Sequence, residues 1–277
     1  MKKLTIIFTL LLSFMFVLSA CGKDNTTDKN KTKTDNKTAE KADQDLLKKV
    51  KDEGKLIIGT EGTYAPFTFH DTNGKLTGFD VEVAEEVAKH LGVKAEFKET
   101  QWDAMFAGLD AKRFDMVANQ VGIRPDRQKK YDFSDPYITS AAVLIASKDN
   151  DKVKSFADMK GLNSAQSLTS NYADIAKKNG ANLVGVDGFQ QAVELLAQKR
   201  VDVTVNDKIA FLDYTKQKPD APIKIVATAD DASSSGFMFR KKNDTLVDAV
   251  NKALKDMVDD GTYKKISEKW FGVDVLK

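Results

Sequence analysis

From Asp45 onward the chain alternates short apolar or two-residue-periodic runs with stretches whose apolar residues recur every three to four positions. That alternation constrains the fold most. Parallel strands need a crossover helix between them, so the pattern implies an α/β fold of helices layered on largely parallel sheets. Strands are expected over 55–60, 93–99, 114–120, 141–146, 183–186, 201–206 and 223–227. In the helix after the first strand Phe79, Val83, Val87 and Leu91 share one face, and Gly92 closes it. Further helices are expected over 102–112, 169–178, 189–199, 208–216, 246–258 and 262–270.

One stretch is repeated. Ala111-Lys-Arg-Phe-Asp-Met-Val-Ala-Asn119 echoes Gln198-Lys-Arg-Val-Asp-Val-Thr-Val-Asn206: helix end, basic pair, Asp, then a strand ending in Asn. The echo points to two lobes of like architecture. Open α/β sheets bind ligands beyond the carboxyl ends of their strands. The segments 119–122 and 206–207 are therefore expected to face a cleft between the lobes.

The ends of the alternating region narrow the setting. Lys2 and Lys3 precede an apolar run from Leu4 to Leu18, followed by Ser19, Ala20 and Cys21. This is the layout of a secretory signal over 1–20. Cys21 is the only cysteine, so an intramolecular disulfide and a cysteine zinc cluster are both excluded. Leu18-Ser-Ala-Cys21 resembles the bacterial lipobox, which implies cleavage before Cys21, thioether lipidation and acylation of the new N-terminus. The next segment, to about residue 45, is mostly Lys, Asp, Asn and Thr. It is expected to be a flexible tether between lipid and folded part. With Lys2 and Lys3 removed, acidic and basic residues balance, and the basic ones form no stripe, so nothing points to nucleic acid. His70 and His90 are too few for a histidine metal site, and no cofactor motif is present.

An amino-acid zwitterion needs a cation for its carboxylate, an anion for its ammonium and a platform for its side chain. Arg127 follows the strand end near Val121, and its planar fork suits a carboxylate. Asp207 stands at a strand end and a helix start, where it is either a ligand contact or a helix N-cap. Tyr64 and Trp102 lie just past strand ends and are either core or cleft residues.

Gly59-Thr-Glu-Gly-Thr-Tyr-Ala-Pro-Phe67, Gly78-Phe-Asp-Val, Trp102-Asp-Ala-Met, Asp126-Arg127 before Tyr131-Asp-Phe-Ser-Asp-Pro-Tyr137, Asp260-Gly-Thr-Tyr and Lys269-Trp-Phe-Gly272 resemble, in order and spacing, the polar amino-acid-binding proteins of ABC importers. Segments 61–64, 101–110 and 164–172 are similar to the cystine-binding subgroup. The resemblance implies a two-lobed periplasmic-binding-protein-like fold of type II, with a ligand cleft between the lobes and two hinge crossings. Lobe one would be 46–138 with 236–277, and lobe two 142–231. The crossings would fall near 137–141 and 231–235, the latter an Asp-Ala-Ser-Ser-Ser run with little packing capacity.

The resemblance also implies roles. Arg127 would bind the α-carboxylate, with Thr169 and Ser170 donating from a helix start. Asp207 would bind the α-ammonium, and Tyr64 and Trp102 would pack on the ligand. Gly122 stands where many relatives carry a hydroxyl, so a backbone carbonyl there or Gln120 would take its place. Glu61 would meet the ligand's far end or serve as a structural carboxylate. The partners implied are L-cystine, a permease with its ATPase subunit, and the membrane through the lipid anchor on the extracytoplasmic face. Two other readings stay open: a dehydratase-like enzyme on the same scaffold, for which Glu61 is the one candidate acid, and an amino-acid-sensing receptor domain. No Ser-His-Asp set or phosphate loop supports the enzyme.

Overall fold

A computed structural model describes residues 45–276. The expected signal, Cys21 and nearly all of the tether lie outside the described residues. Among the described residues no helix is long and apolar enough to cross a membrane.

Helix α1 (Leu46–Glu53) is capped by Asp45, whose carboxylate accepts from Leu47 N, and ends at Gly54 in the left-handed conformation, φ 65°. Strand β1 (Lys55–Thr60) follows, then a small antiparallel sheet of β2 (Thr63–Tyr64), β3 (Thr68–His70) and β4 (Leu76–Thr77). Helix α2 (Phe79–His90) buries Phe79, Val83 and Val87, the face its spacing predicts. The chain continues through β5 (Lys94–Glu99), α3 (Trp102–Asp110), β6 (Met116–Val117), α4 (Pro125–Gln128) and β7 (Tyr131–Phe133). Next come β8 (Ile138–Ser147), β9 (Asn163–Gln166), α5 (Asn171–Lys178), β10 (Asn182–Gly185), α6 (Phe189–Ala197), β11 (Val203–Asp207), α7 (Lys208–Gln217) and β12 (Ile223–Ser235). Strand β13 (Met238–Arg240) and helices α8 (Asp244–Asp259) and α9 (Thr262–Phe271) complete the order.

Two five-stranded sheets result. One has the order β5-β1-β6-β13-β7, the other β10-β9-β11-β8-β12. The expectation of largely parallel strands needs correction. β1 pairs in parallel with β5 and β6, and β9 with β10 and β11, but β8, β12 and β13 pair antiparallel. β8 and β12 pair with each other directly, and antiparallel neighbours need no crossover helix.

Two strand expectations also change. The strand expected over 114–120 shortens to Met116–Val117. Gln120 turns the chain away with φ 51°, held by Asp80, whose carboxylate accepts from Gln120 N (2.8 Å) and Nε2 (2.6 Å). The run 231–235, expected to be loosely packed, is instead the end of β12. Ala232 to Ser235 pair with Ala141 to Ile138 of β8, past a bulge. Backbone ladders need no large side chains, so an exposed Ser233, a half-buried Ser234 and a buried Ser235 suffice there.

The sequence echo is a structural one. Lys112 and Lys199 both take φ near 57°, as the first residue beyond each helix cap. Lys112 N donates to Leu109 O and Arg113 N to Gly108 O, while Lys199 N donates to Leu196 O and Arg200 N to Leu195 O. Asp115 then accepts from Ile57 N, and Asp202 from Asn163 N, each on the neighbouring strand.

Candidate functional site

The carboxyl ends of β1 and β6 meet that of β11 across a cleft with about 500 Å³ of empty space, its mouth included. On the first wall the buried Asn119 fixes the residue after β1. Its Oδ1 accepts from Glu61 N (2.7 Å) and its Nδ2 donates to Glu61 Oε2 (2.5 Å). Burial pushes the Glu61 carboxyl up to about 7, against the lowering effect of that amide. Trp102 opens α3 and is 6% exposed, its Nε1 without a hydrogen-bond partner.

Behind Trp102 lies Arg127. Its Cζ sits 5.5 Å from the Trp102 ring and 5.3 Å from that of Phe106. Nη1 donates to Gly122 O (3.1 Å), while Nη2 is buried without a partner. Burial, followed by the charge on Arg124, lowers the guanidinium to about 10, so it stays charged at neutral pH. The segment carrying Gly122 is fastened to the end of β12, since Ile123 N donates to Ser234 O and Gly236 N to Val121 O.

On the second wall β11 ends at Asp207, which is 5% exposed and caps α7. Its Oδ1 accepts from Ile209 N (2.7 Å) and Ser140 Oγ (2.9 Å), and its Oδ2 from Tyr172 Oη (3.3 Å). Burial nonetheless raises this carboxyl to about 6. Among the described residues neither Arg127 nor Asp207 has an ion-pair partner. Ser170 caps α5, accepting from Ala173 N (3.0 Å).

Among the described residues, side chains of the two walls meet in several places. Tyr64 Oη donates to Asn206 Oδ1 (2.8 Å). Arg124 Nη1 lies 2.8 Å from Asp174 Oδ2. Asp103 accepts from Leu168 N (3.2 Å), Thr169 N (2.9 Å) and Thr169 Oγ1 (2.7 Å).

Of the residues singled out in the sequence, Glu61, Tyr64, Trp102, Gln120 and Ser170 line the cleft. Arg127, Gly122, Asp207 and Thr169 stand outside that lining. Asp207 is both a helix cap and a neighbour of the lining residue Tyr172. Thr169 spends its N–H and hydroxyl on Asp103, which leaves Ser170 as the donor facing the cleft from that turn. The strand-end rule reaches Asn119 and Asn206, but sequence reasoning assigns no part to Tyr172 or Asp103. Tyr172 had a signal, since it sits two residues beyond the helix cap. Asp103 had only its place beside Trp102.

Residues 56–273 match the bacterial extracellular solute-binding proteins, family 3, and the chain belongs to that family. Its fold is that of two-lobed amino-acid-binding proteins. Among relatives, it is 54% identical to the L-cystine-binding protein TcyA of Bacillus subtilis (strain 168), over 97% of this chain and 98% of that one. The L-cystine solute receptor of Neisseria gonorrhoeae, in its unliganded open conformation, is also 54% identical, with a TM-score of 0.55 over 83% of this chain and 98% of that one. An ancestral arginine-binding protein bound to arginine is 41% identical, with a TM-score of 0.75 over 79% of this chain and 98% of that one. The overall superposition is better on the ligand-bound protein than on the open receptor, although the receptor is nearer in sequence.

Proposed function

We propose that this protein captures L-cystine between two lobes on the outer side of the cell membrane and delivers it to an ABC permease with its ATPase subunit. One observation carries the reading: a buried cation and a buried anion, neither with an ion-pair partner among the described residues, back onto one cleft from opposite sides, Arg127 behind the lining Trp102 and Asp207 bonded to the lining Tyr172. Isolated buried charges are costly, and a zwitterion supplies both partners at once. The α-carboxylate goes to Arg127 Nη2 and the Ser170 hydroxyl, and the α-ammonium to Asp207, with Gln120 beside it. Tyr64 and Trp102 supply the platform. Cystine carries a second ammonium, and Glu61 at the cleft wall is the carboxylate we assign to it.

The lobes in this reading are 46–138 with 236–277, and 142–231. Cys21 is the lipid attachment point. Similarity to a relative that binds L-cystine supports the choice of ligand.

The test is a thermal-shift screen of the purified soluble part against the amino acids and cystine. Cystine at a hundredfold its Kd should add about 2.7 kcal/mol of stability. A flat response to every amino acid would refute the function, and a larger shift with another amino acid would refute cystine. Glu61, held near neutrality by burial, is the group an enzyme on this scaffold would use. We place the protein among binders without turnover, so incubation with prephenate or arogenate should leave either acid unchanged.

A further inference from the structure

Asp103 belongs to no part of the recognition set above, yet its carboxylate joins the two walls. It is the acidic residue in the first turn of α3. Both of its oxygens accept from the turn that leads into α5, three hydrogen bonds in all. The carboxylate, in the first turn of α3, therefore bonds to the two residues just before the cap of α5. The same helix α5 is held a second time by Arg124 against Asp174, in its first turn. Helix α5 in turn carries the cap Ser170 and Tyr172, which line the cleft, and Tyr172 reaches Asp207.

Leu168 is 51% exposed and makes this contact through its backbone. The contact therefore depends on the position of the turn and little on packing of that side chain. In the two-lobed reading proposed above, these bonds would break as the cleft opens. A contact made only in the closed arrangement raises the closed fraction, and apparent affinity rises with that fraction.

We propose that Asp103 is a positioning residue for ligand capture: by holding the Leu168–Thr169 turn it presets α5 against the wall that carries Arg127 and slows release of the bound amino acid. The inference rests on the binding function proposed above. Arg127 and Asp207 recognise the ligand, and Asp103 sets how long the cleft stays shut on it.

The experiment compares wild type, Asp103→Ala, Asp103→Asn, Thr169→Val and the Asp103→Ala/Thr169→Val double variant. Two quantities are read: the radius of gyration of ligand-free protein by small-angle scattering, and cystine release by stopped flow. Circular dichroism and melting confirm that each variant is folded. Asp103→Ala should enlarge the ligand-free radius and speed release about tenfold, roughly one decade of affinity, with association nearly unchanged. Asp103→Asn keeps one acceptor oxygen and should recover part of the loss. Thr169→Val should speed release in wild type and add nothing in the Asp103→Ala background.

Unchanged release and radius in Asp103→Ala, or fully multiplicative effects in the double variant, would overturn the proposal. If Asp103→Ala does not fold, the same cycle run with Asp103→Asn decides it. Should wild type not bind cystine, the function proposed above fails, while the ligand-free scattering comparison still decides whether Asp103 holds the cleft shut.

Discussion

Replacing Asp207 by Asn removes a charge while keeping the shape. Asn caps a helix as well as Asp does, so the bond from Ile209 N and the start of α7 survive, as does an acceptor for Ser140 Oγ. The loss at pH 7.5 is then the ammonium's counter-charge. Stranding one partner of a desolvated charge pair costs about 2–5 kcal/mol, roughly thirty-fold to several-thousand-fold in affinity. The pH dependence gives an independent check. Burial raises the Asp207 carboxyl from 3.8 to about 6 in the ligand-free protein. The folded chain therefore holds this proton more tightly than the unfolded one. Its contribution to stability is full below pH 3.8 and is lost as pH rises through about 6, on the order of 3 kcal/mol at about 1.4 per unit.

Ligand binding runs the other way, because the ammonium requires the ionised carboxylate. Acidifying from pH 7 to 5 should stabilise the free protein yet weaken cystine binding, approaching tenfold per unit below pH 6. Glu61 and Asp80, both raised by burial to about 7, push in the same direction. The share due to Asp207 is the difference between wild type and Asp207→Asn. Calorimetry across pH 5–7.5, with melting curves on the same samples, measures both slopes. An affinity of the Asp207→Asn variant within about threefold of wild type at pH 7.5, or parallel pH slopes in the two proteins, would refute the assignment.

Two further outcomes follow from the same site and from the expected anchor. Arg127→Ala should lower cystine affinity by a similar factor without unfolding the protein, and Arg127→Lys should restore only part of it, since an ammonium lacks the fork that reaches past Gly122 O. Equal affinities for Arg127→Lys and wild type, measured by calorimetry, would show that the fork is not used. Cys21→Ala should abolish acyl labelling in the host and release the protein or block its maturation. Membrane retention of the variant, with no label on wild type, would remove the anchor.

The repeat was the most legible feature of the fold. Lys112 and Lys199 occupy matching left-handed positions, and Asp115 and Asp202 receive matching amides, because a helix end followed by a sheet entry imposes the same local bonding wherever it occurs. Tyr64, Trp102 and Gln120 were legible as cleft residues because strand ends locate a cleft even when the contacts are unknown. The pairing of Asp103 with the Leu168–Thr169 turn was not, since 65 and 66 residues separate the partners and neither carries a periodic signal. The strand at 231–235 was hidden for a different reason: its pairing is carried by the backbone ladder, with hydroxyl bonds added between Ser234 and Thr139 and from Ser233 to Ser140 O, and its serines look the same in a ladder as in a loop.

That ladder has a mechanical consequence. Two separate loops crossing between lobes would allow sliding and rotation in several directions. A two-stranded ribbon, Ile138 to Ala141 bonded to Ala232 to Ser235, resists stretching and shear along its length and yields mainly to twist and bend. The ribbon reaches Val121, Gly122 and Ile123 through its Ser235 end, so in the proposed two-lobed reading a rotation about it would carry the segment beside Arg127 as a lever attached to the axle. Its amides should stay protected from hydrogen exchange whether the cleft is open or shut, as in a torsion bar whose bonds persist while its angle changes.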